Sequence, residues 1–238
     1  MRRWVQSVMW WKRGRGDESP RSQFECLMKW ADELVAKRNA EGLHDLVKIV
    51  LRPIQARHMR EAYLKPENHG PDSLWWPLAL GFSGLSQKLD SDVVSYINSH
   101  CLVSCVAGKE TLNLASDVVL PTAWHPTSLV AKLGAIGLGL PEGEFEQSTN
   151  HRVCYMYPLG IGWVGGGNHS ISQGIVRGEV TLAPTEYLDI TPVLHALRYD
   201  GDRWRCVVSG RTVGKPCYPE FGWAWELTRK ALELGAEC

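Results

Sequence analysis

The residue types with the clearest chemical use lie in "WVGGGNHSISQGIVRGE", positions 163–179, where Gly165, Gly166 and Gly167 run into Asn168, His169 and Ser170. Glycine inside a regular element costs roughly 0.5–1 kcal/mol relative to alanine, so three in succession point to a backbone requirement. Ahead of a helix, that requirement has a chemical purpose. The first N–H groups of a helix lack internal partners and carry the positive end of its dipole. Glycines let a phosphate or carboxylate approach those groups closely. Three polar side chains follow at once, and the imidazole of His169 suits phosphate contact or acid–base work near neutral pH. The competing role is a tight turn with Asn168 or Ser170 as N-cap, for which one glycine and one cap suffice. The ligand reading expects Gly166→Val to abolish binding at modest cost in stability. The run is not a GxGxxG turn of a Rossmann unit, and no Lys-Ser/Thr ends it as in a Walker loop.

Other constellations are weaker. His125, His151, His169 and His195 share this half of the chain, but none has HxH or HxxxH spacing. The nearby acids Glu142, Glu144 and Glu146 fall in a glycine-rich loop, so a metal site is disfavoured. Ser170, His151 and Asp189 make a triad only on paper, with no nucleophile elbow to support it. The 7 cysteines are an odd set without a CxxC pair, and Cys101 and Cys105 have no second pair to answer them. They read as reduced, buried small hydrophobes.

Positioning elements can be read around the turn. Ser22 and Glu25 have capping-box spacing ahead of an apolar helical period that ends near Gly42. A second helix runs from about Leu43 through Val50 and Leu51, kinked or restarted at Pro53. "KPENHGPDS" at 65–73 is a loop, and helical pieces over roughly 74–88 and 91–106 complete a helical first half. Near Gly108 the texture changes. "LNLASDVVLP" reads as a strand, and Thr127 or Ser128 caps a short helix closed by Gly137. "HRVCYMYPLGIGWV" is β-rich with a break at Pro158–Gly160. The helix after the glycines extends to about Gly178, and "VTLAPTEYLDI" reads as one strand. "HALRYDGDRWRCVV" is a hairpin about Asp-Gly. A final helix, about Trp223 to Leu234, carries Leu227, Ala231 and Leu234 on one face. The fold class expected is α+β: a leader over 1–20, a helical region over 21–107 and a mixed-sheet domain with short helices over 108–238.

Composition bounds the function. The 238 residues carry 26 basic and 26 acidic side chains, so no whole-protein field draws the chain to nucleic acid or membrane. The leader "MRRWVQSVMWWKRGRGDESP" interleaves arginines with tryptophans, a composition that can stack on bases and neutralise phosphates or simply tuck onto the domain. The 11 tryptophans are otherwise expected as core anchors. No apolar run reaches a membrane-spanning length and no signal peptide is evident, so a cytoplasmic protein of a prokaryote or its mobile elements is expected.

Over about residues 111–191, the strand "DVVLP", the helix "SLVAKLGAIG", the strand into "GGGNHSISQGI" and the strand "VTLAPTEYLDI" resemble the ParB N-terminal/sulfiredoxin superfamily. There a strand enters a Gly-Gly-x-His-Arg or Gly-x-x-Arg turn followed by a helix. The resemblance implies a nucleotide or phosphate site at Gly165, Gly166, Gly167, Asn168, His169 and Ser170, with ATP or CTP chemistry, and so a nucleotide, with Mg²⁺, as ligand. Two departures limit what transfers. Asn168 stands where sulfiredoxin has its catalytic cysteine, which excludes sulfinic-acid reduction. Ser170 stands where the arginine is expected, leaving Arg152 and Arg177 as replacements. The whole chain is also similar to an uncharacterised bacterial family with this Gly-Asn-His turn. The leading expectation is a nucleotide- or phosphate-binding protein with His169 as the catalytic candidate, capable of hydrolysis or phosphoryl transfer. The alternative is a non-catalytic DNA-binding or protein-interaction module.

Overall fold

The computed structural model describes residues 19–64, 74, 79–81 and 111–236. The expected leader, the helical pieces over 74–88 and 91–106, and Cys101, Cys105 and Cys238 lie outside these residues, apart from positions 19–20, 74 and 79–81. The first helix, α1 (Pro20–Ala36), starts earlier than the capping-box spacing predicts. Ser19 Oγ accepts from Ser22 N (3.2 Å), while Pro20 opens the helix where a missing N–H costs nothing. Glu25 pairs with Arg21 instead of closing a box. The helix stops at Ala36, short of Gly42, as the chain turns through Arg38 at a φ of +52°. Helix α2 (Ala40–Leu64) contains Pro53 within its span rather than restarting there. Its buried stripe is Leu43, Val47, Leu51, Ile54, His58 and Ala62, the three-to-four-residue period of a helix facing a core.

The remaining elements are β1 (Leu112–Asn113), β2 (Val118–Leu120), α3 (Pro126–Lys132), β3 (Val153–Tyr157), β4 (Ile161–Val164), α4 (Asn168–Arg177), β5 (Thr181–Leu182), β6 (Glu186–Asp189), α5 (Thr191–Ala196), β7 (Leu197–Tyr199), β8 (Trp204–Cys206), β9 (Thr212–Gly214) and α6 (Pro219–Ala236). The class is α+β. Two expected strands are each divided. "LNLASDVVLP" breaks because Asn113 Oδ1 accepts from Ala115 N and Asp117 Oδ2 accepts from Asn113 N, folding the backbone onto its own side chains. "VTLAPTEYLDI" breaks at Pro184, which has no ladder N–H to give. Gln147 brackets Ala183 just before it, accepting from its N–H and donating to its carbonyl. The Asp-Gly hairpin forms as β7 against β8, and α6 begins at Pro219, one turn ahead of Trp223.

The central sheet has the order β2-β4-β3-β6: parallel at β2/β4, antiparallel at β4/β3 and parallel at β3/β6. Side-chain alternation divides it between two cores. Val118, Leu120, Cys154, Met156, Ile161 and Trp163 join a large core with α1, α2 and α6. Val119, Val153 and Val164 join a smaller one with Leu112, Phe145, Ile171 and Leu182. The large core draws on both the helical first half and the C-terminal half, so α6 packs on α1 and α2 across the expected boundary at 107/108. Polar side chains of α2 fasten the β1–β2 turn: Lys48 to Asp117 (2.9 Å), Arg52 to the carbonyls of Ala115 and Ser116, and the buried Gln55 to Val119 O (2.7 Å). No described helix is long and apolar enough to cross a membrane.

Tryptophans anchor the large core. Trp204 and Trp225 lie 5.1 Å apart edge to face, and their Nε1 groups donate to Leu80 O and Leu197 O. Beside them Glu226 is buried, accepting from Tyr199 N (2.7 Å) and from Arg229 (2.8 Å). Glu226→Ala would leave the Arg229 guanidinium, 12% exposed, without its inner partner. We expect a loss of about 3 kcal/mol in urea unfolding. Lys132→Ala, at the exposed pair with Glu142, should cost at most about 1 kcal/mol.

Candidate functional site

The glycine turn is built around a histidine. Strand β4 ends at Val164, and the next two N–H groups, of Gly165 and Gly166, both donate to Arg152 O (2.8 and 3.2 Å). Arg152 N returns a bond to Gly166 O. The turn is thus stitched to the segment entering β3, and the His151 ring fills the bend. Gly167 is left-handed (φ +74°), and a Cβ there would overlap the His151 ring. A Cβ on Gly166 would come 2.6 Å from Asn150 O. Packing therefore requires two glycines, not the one that a tight turn was expected to need. The N–H groups of Gly165 and Gly166 are engaged within the protein rather than open to an anion.

His151 is held by a chain of bonds that fixes its tautomer. Ser148 N donates to Nδ1 (2.8 Å), so the proton resides on Nε2, which donates to Ser170 Oγ (2.6 Å). Ser170 Oγ in turn donates to Gly167 O (3.1 Å). Ser170 is thereby occupied in holding the turn, and burial keeps the His151 pKa below its ordinary value of 6.5. Neither Ser170 nor Asn168 is the N-cap of α4. That position belongs to Gly167, which supplies no side-chain cap bond.

Asn168 and His169 reach across to the segment 121–125 between β2 and α3. Asn168 Oδ1 accepts from Thr122 N (2.7 Å), and His169 Nε2 accepts from His125 N (3.3 Å). His169 is therefore neutral with its proton on Nδ1. Burial, together with the neighbouring His125, lowers its pKa. His125 is itself the N-cap of α3, its Nδ1 accepting from Ser128 N (3.3 Å), a place expected for Thr127 or Ser128. Between these two imidazoles stands Trp124, 54% exposed, edge-on to His125 at 5.5 Å and to His169 at 6.0 Å. From the sequence, His125 stands only among the histidines weighed for a metal and Trp124 only among the tryptophans expected as core anchors, which its exposure corrects. The available signal was the spacing His125-x-x-Ser128, which mirrors Ser148-x-x-His151: a side chain three residues from a backbone N–H that needs an acceptor.

The other candidates disperse. Arg152 is exposed along the turn, its Nη2 donating to Gly165 O at 3.4 Å, and lines a pocket of about 200 Å³ with Cys154 and Glu186. Burial, with the Glu186 charge adding to it, pushes the Cys154 thiol up to about 12, so it is no nucleophile. Arg177 pairs with Glu179 at the far end of α4. Among the described residues no group of three His, Cys, Asp or Glu stands together as a metal site; Cys154 and Cys206 are buried as expected, while Cys26 and Cys217 are exposed. A groove of about 870 Å³, not foreseen, opens between α2, the β3–β4 hairpin and the end of α6, lined by His44, Lys48, Asp117, Tyr155, Tyr157 and Leu232 among others.

Two outcomes follow from this geometry. Gly166→Val, expected from sequence to cost little, should lose at least about 2 kcal/mol in chemical unfolding, because its Cβ meets backbone rather than open space. His151 and His169 both have depressed pKa values in the fold, so the unfolded chain takes up protons first as pH falls. Their stabilisation is present above about pH 6.5 and declines as pH falls through the folded values. That loss begins at higher pH than the one from Glu179 and Asp200, carboxyls lowered from 4.5 and 3.8. Urea midpoints that hold level between about pH 7 and pH 5 would contradict it.

No curated protein and no solved structure matches the chain. One family model, described as a family of unknown function (DUF6710), matches residues 9–238. With the match running over almost its whole length, the chain belongs to the DUF6710 family.

Proposed function

We propose that the protein binds a phosphorylated ligand, with a nucleotide as the leading class, at the N-terminal end of α4. The observation that carries this reading is an exposed indole beside a helix start whose cap residue has no side chain: Trp124 against His169, with Gly167 at the cap. The unpaired N–H groups of the first turn suit phosphate oxygens. His169 contributes its Nδ1–H as a neutral donor rather than a charge. Trp124 offers a face on which a base can stack, worth about 1–3 kcal/mol. Arg152, against Gly165 and Gly166, is the nearest candidate for the charge that Ser170 does not provide. The order of strand, glycine turn and helix, similar to the ParB N-terminal/sulfiredoxin superfamily, supports the same reading. Turnover, by hydrolysis or phosphoryl transfer with Mg²⁺, would use His169 as the proton carrier.

The test is thermal unfolding with nucleoside tri- and diphosphates and with inorganic phosphate, each with and without Mg²⁺. A ligand at 100 times its Kd adds about 2.7 kcal/mol of stability. Trp124→Ala should weaken nucleotide while sparing inorganic phosphate, and His169→Ala should weaken both. Wild-type affinity in both folded variants, or no stabilisation by any compound at millimolar concentration, overturns the reading.

A further inference from the structure

We propose that the His125 end of segment 121–125 is an acid-released latch beside the first turn of α4, held shut by the unprotonated imidazole of His169. Two bonds tie the segment to α4, and in both the donor is a backbone N–H of the segment while the acceptor is a side chain of α4: Thr122 N to Asn168 Oδ1, and His125 N to His169 Nε2. The Thr122 end is held further, by Leu74 N donating to Thr122 Oγ1 (3.0 Å) and by Ala123 packed with Ala62 and Leu129, so the His125 end is the one that can open. The amide oxygen does not titrate. The imidazole nitrogen does, and a proton on Nε2 turns an acceptor into a donor facing another donor. That half of the latch cannot survive protonation. The freed end leads straight into α3, which His125 caps, its Nδ1 accepting from Ser128 N.

The surroundings leave the switch to His169. Depression of the His169 pKa by burial and by His125 places the transition below 6.5. On α3, which packs against α4, the charged Lys132 is tied to Glu142. On α4 itself, Arg177 is tied to Glu179 two turns away. His151 faces Ser170, with its own bonds to Ser148. Opening would free the His169 ring from the segment just as it becomes cationic. An anion then gains both access and charge, and by reciprocity a bound anion raises the His169 pKa. This last consequence rests on the phosphate reading; the latch does not.

Amide hydrogen exchange, corrected for intrinsic rates, tests the latch without any ligand. Between about pH 7.5 and 5.5, the His125 amide should lose about tenfold or more of its protection, while Thr122, bonded to the Asn168 oxygen, and Gly165 and Ile171, bonded to Arg152 O and Gly167 O, keep theirs. His169→Gln, whose side-chain oxygen accepts at every pH, should keep the segment closed in acid. His169→Ala should expose the His125 amide already at neutral pH, a readout that needs no acid. Unchanged His125 protection as the His169 ring titrates, or equal acid release in His169→Gln, overturns the proposal. Phosphate affinity at the two pH values separates the readings: a segment that opens but gains no phosphate leaves the latch standing and removes the anion site.

Discussion

The contact of the His151 ring with the bend at Gly167 is the constraint from which the rest of this region follows. A side chain on residue 167 would occupy the ring's place, and one on residue 166 would strike the Asn150 carbonyl. The ring is where it is because three polar partners hold it, Ser148 N, Ser148 Oγ and Ser170 Oγ. With the bend closed on the ring, Arg152 can take both Gly165 and Gly166 as donors, so β4 leaves the sheet at a fixed point. The direction of α4 is set there, and with it the height at which Asn168 and His169 meet the segment 121–125.

Two cores on opposite faces of one sheet supply the rigidity this arrangement needs. The large face carries α1, α2 and α6 and the Trp163–Phe221 and Trp204–Trp225 contacts. The small face carries Ile171 of α4 with Phe145 and Leu182. Strand β2 serves both: Val119 points into the small core, while Val118 and Leu120 point into the large one. It also leads directly into the latch segment. Gln55 fixes β2 from α2 by donating to the Val119 carbonyl, and Leu74 N and Ala62 hold the segment that follows through Thr122 and Ala123, so the helical half reaches the candidate site. The site is surface chemistry standing on an interior that spans the chain.

Periodicity made the larger elements legible in the sequence. The stripe in α2, the β3–β4 break at Pro158–Gly160, the Asp-Gly hairpin and the apolar face of α6 are all local patterns with a strong physical cause. What was not legible depended on partners distant in sequence. "LNLASDVVLP" has strand propensity throughout, yet Asn113 and Asp117 turn it, and α2 fastens the turn from more than sixty residues away. Ser22 has the right spacing for a cap, but Ser19 followed by Pro20 has a better one. The glycine run was correctly singled out as a backbone requirement. Its cause lay with Asn150 and His151, fifteen or so residues earlier, and no rule of local spacing connects them.

The three histidines of this corner share one function that their spacing concealed. His125, His151 and His169 each place an unprotonated ring nitrogen against a backbone N–H, those of Ser128, Ser148 and His125. An imidazole used this way does what an Asn or Ser side chain does at a cap, but only while it is neutral. A carboxamide in the same three places would hold the same donors at any pH, as Asn168 does for Thr122. The region therefore combines one fastening by a carboxamide with three by neutral imidazole nitrogens. The glycines give the turn its shape, and the imidazoles hold the backbone donors around it.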